Sequence, residues 1–337
     1  MEKYILSRIS NAKNFKNTAA IKPKMDQINF LKKKDFKELS FDLTNSKLGK
    51  AIYSTFNFRK YFKDLKEGDL VIYQYPSFSH IIDIKASKFL SDKKVKKAVL
   101  IHDVESLRHK KNDLNFKSWE IDYFNSFDYI ISHNELMSKY LIDSGVNVKI
   151  INLEIFDNFT DGVFPEREAE LPILFAGNLA KSQFLNKIEI NKSVNILGPN
   201  NSEAYPENIT YKGSFPPEEL SKHLNGSYGL VWDGNRIDSC SGVMGEYLKF
   251  NNPHKVSMYL SLGIPVIIWS KAALANFVEQ NKVGLIIDKL SDIDDVLDNT
   301  TIDEYNELKK NSELISKKIR SGYYIDSAVE KILNDLS

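Results

Sequence analysis

Residues 247–267, YLKFNNPHKVSMYLSLGIPVI, carry the signals for one helix followed directly by one strand. Asn252 is a residue type that caps helices, and Pro253 suits a first helical position because its missing amide hydrogen would be unbonded there. Gly263 and Pro265 then end the helix, and the apolar residues after them predict a buried strand. The stretch is therefore one unit of the helix–strand alternation that builds parallel sheets.

The same alternation runs along the whole chain. Short apolar runs separated by amphipathic stretches of helical length predict twelve strands in two sets. The sets are residues 4–9, 38–43, 70–73, 98–102, 129–132 and 148–151, then 172–176, 193–197, 209–212, 228–232, 265–269 and 284–287. The fold class predicted is α/β, with two doubly wound, Rossmann-like parallel sheets.

The domain boundary is predicted from a polar, charged segment, residues 156–171, which is interrupted by glycine and proline. We place an N-terminal domain at residues 1–158 and a C-terminal domain at residues 159–317. The last residues, about 318–337, belong to a helical tail broken at Gly322 that can pack back on the first domain.

Composition limits the function classes. Among 337 residues, Cys240 is the only cysteine, which excludes an internal disulfide and the paired-cysteine patterns of zinc sites and fits a cytoplasmic location. No segment approaches the roughly 20 consecutive apolar residues of a transmembrane helix. Any membrane contact is therefore expected to be peripheral, at the inner face of the membrane.

Charge is distributed unevenly along the chain. Residues 1–100 hold 22 Lys and Arg against 10 Asp and Glu, whereas residues 101–337 hold 24 against 35. This asymmetry favours contact between the first domain and an anionic membrane or a lipid diphosphate, although a solvated lysine-rich surface gives the same count. Nucleic acid is not indicated, because the aromatic residues near these lysines lie in strand-like apolar runs.

Candidate binding residues follow the predicted strands, since ligands of open parallel sheets bind beyond the strands' carboxyl ends. In the second domain the first group of candidates can meet a phosphate through the amide dipoles of the helix expected after it and through a lysine. The second group combines a helix N-terminus, a positive charge and neutral polar groups. The candidates are Gly177, Asn178, Lys181 and Ser182, then Asp233, Asn251, Asn252 and Lys255. The alternatives are an ordinary strand–glycine–helix turn and a capped helix with an incidental lysine.

In the first domain the strand at residues 98–102 is followed by three candidates for a general base: His102, Asp103 and Glu105. The alternative is that the histidine closes the strand and Asp103 caps the next helix. Arg108, with Lys16, Asn17 and Thr18 of an early loop, is a candidate for acceptor binding. Cys240 has no base placed near it by sequence, so a packed cysteine is the better interpretation.

A divalent metal is not expected. The late acidic cluster of Asp292, Asp294 and Asp295 fits the negative first turn of a helix rather than a metal site.

The chain resembles bacterial GT-B glycosyltransferases of the β-galactofuranosyltransferase group, which are related to glucosyltransferases that extend GlcNAc on streptococcal serine-rich adhesins. The resemblance runs nearly end to end. Its landmarks are residues 16–19, 101–103, 132–134, 175–182, 240–242 and 251–267.

This resemblance implies two Rossmann-like domains facing each other across a cleft, with the acceptor held by the first and a UDP-sugar donor by the second. It implies no essential metal or other cofactor. It places Gly177, Asn178 and Lys181 at the diphosphate, Tyr211 at the nucleoside, and Asn252 with Lys255 at the diphosphate and ribose. The adhesin-modifying relatives also make self-association into a homo-oligomer compatible with this fold.

One departure from the wider GT-B pattern concerns mechanism. Met258 stands where many retaining members carry a ribose-binding glutamate, which favours inversion with Asp103 as the first choice of base. The leading hypothesis is transfer of galactofuranose from UDP-galactofuranose to a cell-surface glycan or lipid-linked oligosaccharide. The alternatives are a UDP-glucose-dependent enzyme acting on a GlcNAc-modified glycoprotein, and a catalytically silent glycan-binding partner of a transferase.

Overall fold

The computed structural model describes residues 1–8, 21–41, 58, 60, 62–161, 167–202 and 204–337. The early-loop candidates Lys16, Asn17 and Thr18 lie outside the described residues. The chain divides into two compact units. Unit 1 is Met1–Leu153 with Ile325–Ser337, and unit 2 is Glu154–Tyr324.

Unit 1 contains a six-stranded sheet, and every neighbouring pair in it is parallel. Its strands are β1 (Lys3–Arg8), β2 (Lys37–Phe41), β3 (Leu70–Tyr75), β4 (Lys96–Ile101), β5 (Tyr129–Ser132) and β6 (Lys149–Asn152), in the order β2-β1-β3-β4-β5-β6. Between these strands in the chain lie helices Ile21–Lys32, His80–Asp92, Leu114–Asn125 and Glu135–Asp143. All six residues of β3 are buried, as expected for a central strand covered on both faces. The strand order reverses between β1 and β3, which marks the switch point of the sheet.

Unit 2 contains a second parallel six-stranded sheet. Its strands are β7 (Ile173–Ala176), β8 (Val194–Leu197), β9 (Ile209–Tyr211), β10 (Gly229–Val231), β11 (Val266–Trp269) and β12 (Gly284–Ile287), in the order β12-β11-β10-β7-β8-β9. The α-helices are Pro217–Leu220, Gly242–Tyr247, His254–Ser261, Ala275–Asn281, Asp292–Asn299 and Ile302–Ser321. This is the strand order of dinucleotide-binding Rossmann folds, with its switch point between β7 and β10.

All twelve predicted strands are present, with small differences at their ends, so the α/β class with two Rossmann-like domains is confirmed. The tail is helical, with an interruption at Gly322. Helix Ile302–Ser321 ends at Gly322, whose φ of 84° is the left-handed conformation of a glycine cap, and helix Tyr323–Leu336 follows. Within unit 1 this last helix is held by Asp335, which accepts a hydrogen bond of 2.8 Å from the Tyr129 hydroxyl.

The predicted helix cap at Asn252 is wrong. The helix begins at His254, and Pro253 is its N-cap residue, with a φ of −67° and a ψ of 128° that extend the chain instead of continuing the helix. Asn252 is buried, and its side-chain amide donates a hydrogen bond of 3.0 Å to the carbonyl oxygen of Glu154. Asn252 therefore links the start of this helix to the loop at Glu154.

The structure also bears on membrane insertion. Across the described residues, no helix combines the length and the apolar character needed to cross a bilayer.

Candidate functional site

The candidate site of unit 2 lies where β7 and β10 end, on either side of the switch point. Gly177 directly follows β7, and Trp232 and Asp233 follow β10. Tyr259, from helix His254–Ser261, is buried beneath them, and its hydroxyl accepts a hydrogen bond of 2.7 Å from the Ala176 amide at the end of β7. The sheet and this helix are thus joined by a polar contact at the edge where a ligand is expected.

Lys255 occupies the first turn of this helix and turns toward the end of β10. Its ammonium group lies 2.9 Å from a carboxylate oxygen of Asp233, 3.3 Å from the carbonyl oxygen of Trp232 and 4.7 Å from the centre of the Phe175 ring. The side chains of Lys255 and Asp233 are 14% and 18% exposed, so the pair is partly desolvated but open to a ligand. A lysine fixed in this way presents a positive charge at a helix N-terminus, which suits a diphosphate.

The predicted group after β7 has a different local structure from the one expected. In place of an α-helix, two 3₁₀ turns follow, Leu179–Lys181 and Gln183–Asn186. Asn178 accepts a hydrogen bond of 3.1 Å from the Ala180 amide, and the Ser182 hydroxyl donates one of 3.2 Å to the Asn178 carbonyl. The prediction that helix amide dipoles act here is wrong, because turns this short sum few peptide dipoles. Lys181 is exposed and supplies charge alone.

Gly198 and Asn200, which follow β8, contact Gly177 and Asn178 in the loop after β7, and neither was a candidate from the sequence. A Cβ on Gly198 would lie 1.8 Å from the Gly177 carbonyl oxygen, and its φ is 144°, so only glycine fits. The Asn200 amide donates a hydrogen bond of 2.9 Å to the side-chain oxygen of Asn178. The run Gly-Pro-Asn-Asn at residues 198–201, placed directly after a predicted strand, was the signal that could have found them.

Two further candidates of unit 2 differ in accessibility. Tyr211, at the end of the edge strand β9, is 38% exposed, and its hydroxyl donates a hydrogen bond of 3.1 Å to the Gly198 carbonyl. The Tyr211 side chain is thereby bonded to the loop after β8, and its exposed ring is available for stacking. Within the part of unit 2 that the structure describes, the side-chain oxygen of Asn251 is buried and has no hydrogen-bond partner.

Cys240 is 1% exposed, and burial raises the pKa of its thiol to about 12. A thiol with so little thiolate at neutral pH is a poor nucleophile, in agreement with a packed cysteine.

The candidate site of unit 1 is the loop after β4, which carries the three candidate bases. The ring nitrogen Nε2 of His102 lies 2.7 Å from the side-chain oxygen of Gln74, and the ring is buried. Asp103 forms an ion pair with Arg108, and a second guanidinium nitrogen of Arg108 lies 3.6 Å from Glu105. Arg108 therefore sits between the two carboxylates and lowers their mutual repulsion.

Glu105 has an environment that suits a base at neutral pH. Burial raises the pKa of its carboxyl to about 7, with Arg108 opposing the rise and the nearby carboxylates of Asp103 and Glu120 adding to it. A carboxyl with a pKa near the working pH accepts a proton more readily than an ordinary glutamate while a large fraction is still ionised.

Glu120, on helix Leu114–Asn125, holds this loop from below. Its carboxylate accepts hydrogen bonds of 2.9 Å from the amides of Glu105 and Ser106, and one of 2.5 Å from the Tyr75 hydroxyl. Its side chain is fully buried. Nothing in the local sequence distinguishes Glu120 from a surface glutamate, because its partners lie on other elements.

The acidic cluster of unit 2 has the structural role that the sequence predicts. Asp292, Asp294 and Asp295 form the first turn of helix Asp292–Asn299, and Asp294 accepts a hydrogen bond of 2.7 Å from the Asn191 amide. In the described ranges no group of three or more His, Cys, Asp and Glu side chains is arranged to hold a metal ion.

Comparison with known proteins gives consistent matches over both units. The model of the glucosyltransferase 3-like N-terminal domain matches residues 3–155, and that of the C-terminal domain matches residues 173–332. The β-1,6-galactofuranosyltransferase WbbI of Escherichia coli K12 is 34% identical over 280 residues, which is 81% of each chain. Glucosyltransferase 3 of Streptococcus gordonii is 29% identical over 274 residues, covering 78% of this chain and 80% of the relative.

Solved structures agree at the level of the fold. Sucrose-phosphate synthase from Thermosynechococcus elongatus superposes with a TM-score of 0.70 at 11% identity, covering 99% of both chains. The Anabaena protein HepE in complex with UDP superposes with a TM-score of 0.66 at 10% identity, covering 99% of this chain and all of that one. With both domain models matched and a relative above 30% identity over four-fifths of its length, the chain belongs to the glucosyltransferase 3-like family and is a glycosyltransferase of the GT-B fold.

Proposed function

We propose that this enzyme transfers galactofuranose from UDP-galactofuranose to a hydroxyl of a cell-surface glycan or lipid-linked oligosaccharide. The observation that carries donor binding is Lys255, fixed at the switch point of unit 2 beside a helix N-terminus. The choice of galactofuranose is supported by the 34% identity to a β-1,6-galactofuranosyltransferase.

In this proposal the diphosphate of the donor binds at the ends of β7 and β10. Lys255 and the amides of its helix face the negative charge, Lys181 adds a second positive charge, and Gly177 permits close approach of the backbone. Tyr211 stacks on the nucleoside. Asp233, as an acceptor of hydrogen bonds, fits a hydroxyl of the sugar or ribose better than a phosphate, because two anions would repel each other.

The reaction proposed is a direct displacement with inversion. A base in unit 1 removes the proton of the acceptor hydroxyl as its oxygen attacks the anomeric carbon, and the bond from that carbon to UDP breaks with its electron pair leaving on the diphosphate. Lys255 and Lys181 stabilise the departing charge without a metal ion. Glu105 is favoured over Asp103 as the base, because Asp103 is committed to Arg108 whereas the carboxyl of Glu105 has a pKa raised to about 7.

The donor is tested by offering UDP-galactofuranose and UDP-glucose separately with one set of acceptors and measuring UDP release. We expect faster release from UDP-galactofuranose. Release from UDP-glucose alone would refute the choice of sugar and leave the nucleotide site standing.

Glucose is the second candidate, since glucosyltransferase 3 of Streptococcus gordonii is 29% identical. A GlcNAc-modified protein acceptor belongs in the same set, so that the assay tests this candidate directly.

A further inference from the structure

Unit 1 exposes an apolar surface at the start of helix His80–Asp92. Phe78, Ile81 and Ile84 are 49%, 40% and 42% exposed. The two isoleucines are one turn apart, so they share the outer face of the helix. Three large apolar side chains this close together form a contiguous surface patch rather than scattered exposure.

Phe78 is fixed in its exposed position by the backbone. Its φ is 60°, in the left-handed region that a bulky residue rarely adopts. The turn is held from inside, because the amide of the preceding residue, Ser77, donates a hydrogen bond of 3.0 Å to the buried carboxylate of Asp83. Backbone in an unfavourable conformation that displays a phenylalanine to solvent is typical of a functional surface.

Aromatic rings extend this surface onto the neighbouring helix. The His80 ring lies 3.7 Å from the Trp119 ring, and Phe116 lies 5.2 Å from Trp119. Trp119 and Phe116 are half-buried, with their remaining surface in solvent. We call these residues together the apolar patch; its members are Phe78, His80, Ile81, Ile84, Phe116 and Trp119.

Lysines surround the apolar patch. Lys88 is exposed one turn beyond Ile84 on the same helix face. The ammonium of Lys110, which is exposed, lies 5.9 Å from the centre of the Phe116 ring. The ammonium of Lys24 lies 4.8 Å from the centre of the Phe78 ring, but Lys24 is buried and donates a hydrogen bond to the Pro76 carbonyl oxygen, so it holds the turn from inside. Lys111 is also exposed.

The nearby acidic groups offset this charge only in part, because Asp113 is exposed near Phe116 whereas Asp83 is buried. Asp83 is buried, and burial raises the pKa of its carboxyl to about 6. Asp113 caps helix Leu114–Asn125 by accepting a hydrogen bond from the Phe116 amide. Asp92 is exposed at the far end of helix His80–Asp92, away from Phe78.

We propose that the apolar patch docks this protein on the surface of an anionic phospholipid bilayer. The apolar side chains enter the boundary between headgroups and acyl chains, and Trp119 takes the interfacial position that tryptophan prefers. The exposed lysines Lys88, Lys110 and Lys111 reach the lipid phosphates. Aliphatic isoleucines favour lipid over a glycan, which offers no apolar chain to bury them. The charge excess of residues 1–100 acts in the same direction. This inference goes beyond the proposed transfer reaction and does not depend on the sugar donated.

The experiment is sedimentation of the full chain with phosphatidylcholine vesicles that contain or lack phosphatidylglycerol, at low and high salt. The test variant is Ile81→Ser with Ile84→Ser. The matched control is Leu136→Ser with Ile142→Ser, because these residues are 50% and 57% exposed on another helix of unit 1. We expect the test variant to bind anionic vesicles about tenfold more weakly, or about 1.4 kcal/mol, with the control close to the parent protein.

Tryptophan fluorescence reports on the apolar patch itself. Of the three tryptophans, Trp232 and Trp269 are 0% and 3% exposed in unit 2, so a blue shift on adding anionic vesicles should come from Trp119 and vanish in Trp119→Phe. Absence of binding to anionic vesicles at low salt would overturn the proposal, as would an equal loss in the control variant. If the test variant binds vesicles normally but turns over a soluble acceptor poorly, the patch is a glycan surface instead.

Discussion

Replacing Lys255 with alanine tests the proposed nucleotide site most directly. The substitution removes the ammonium that lies 2.9 Å from Asp233 and 3.3 Å from the Trp232 carbonyl. It also leaves the Asp233 carboxylate without its partner at the place where the diphosphate is expected. The attraction between Lys255 and the diphosphate is lost, and the repulsion between Asp233 and the diphosphate is no longer offset.

The magnitude follows from the partial burial of the pair. Two unit charges 4 Å apart interact by about 4 kcal/mol at an effective dielectric constant of about 20, and the charge of Lys255 is shared with Asp233. A hydrogen bond to a charged group contributes about 1.5–3 kcal/mol net, so we expect UDP binding to weaken by about 2 kcal/mol, or about 30-fold.

Calorimetric titration of UDP into the parent protein and Lys255→Ala measures this difference. Lys249→Ala is the matched control, because Lys249 pairs with Glu246 at 2.8 Å but is 36% exposed, and it should change binding by no more than about twofold. Adding Asp233→Asn to Lys255→Ala should recover part of the lost affinity, since the unpaired carboxylate is removed. Equal binding of UDP by the parent protein and Lys255→Ala would refute the assignment.

Three further outcomes are expected. In pH–rate profiles, the activity of the parent protein should rise with pH through about 7 as Glu105 ionises. Glu105→Gln should abolish that rise, whereas Asp103→Asn should keep it. The reverse pattern would make Asp103 the base. The pKa of Glu105 in the folded protein is higher than its ordinary value of 4.5, so its ionisation destabilises the fold as pH rises from about 4.5 to 7. In urea titrations, the free energy of unfolding should therefore fall less over that interval for Glu105→Gln than for the parent protein. Gly198→Ala should lower the thermal midpoint of unfolding far more than Gly242→Ala. Both glycines have a positive φ, but only at Gly198 would an added Cβ clash with backbone, because it would lie 1.8 Å from the Gly177 carbonyl oxygen. Equal midpoints would show that the loop after β8 moves freely.

The sequence alone was enough to predict the strands of the described chain and the break in its last helical segment. Strands such as β3 and β11 are short apolar runs bounded by turn residues, and Gly322 ends a helix because glycine adopts left-handed backbone without strain. These signals lie within a few residues of the feature they determine. For the same reason, the loops that follow β7, β10 and β4 could be chosen as candidates before the structure was known.

What only the tertiary structure decided involves residues far apart in the chain. Lys255 and Asp233 are 22 positions apart. Glu120, on the helix that follows the loop after β4, accepts hydrogen bonds from the amides of Glu105 and Ser106 in that loop. The close approach of Gly198 to Gly177 depends on β7 and β8 being neighbours in the sheet. The incorrect prediction of a helix cap at Asn252 has the same origin, since the Asn252 side chain donates a hydrogen bond to a carbonyl oxygen 98 positions away. Local propensity sets which elements form, whereas the order of the strands and burial between them set which side chains meet.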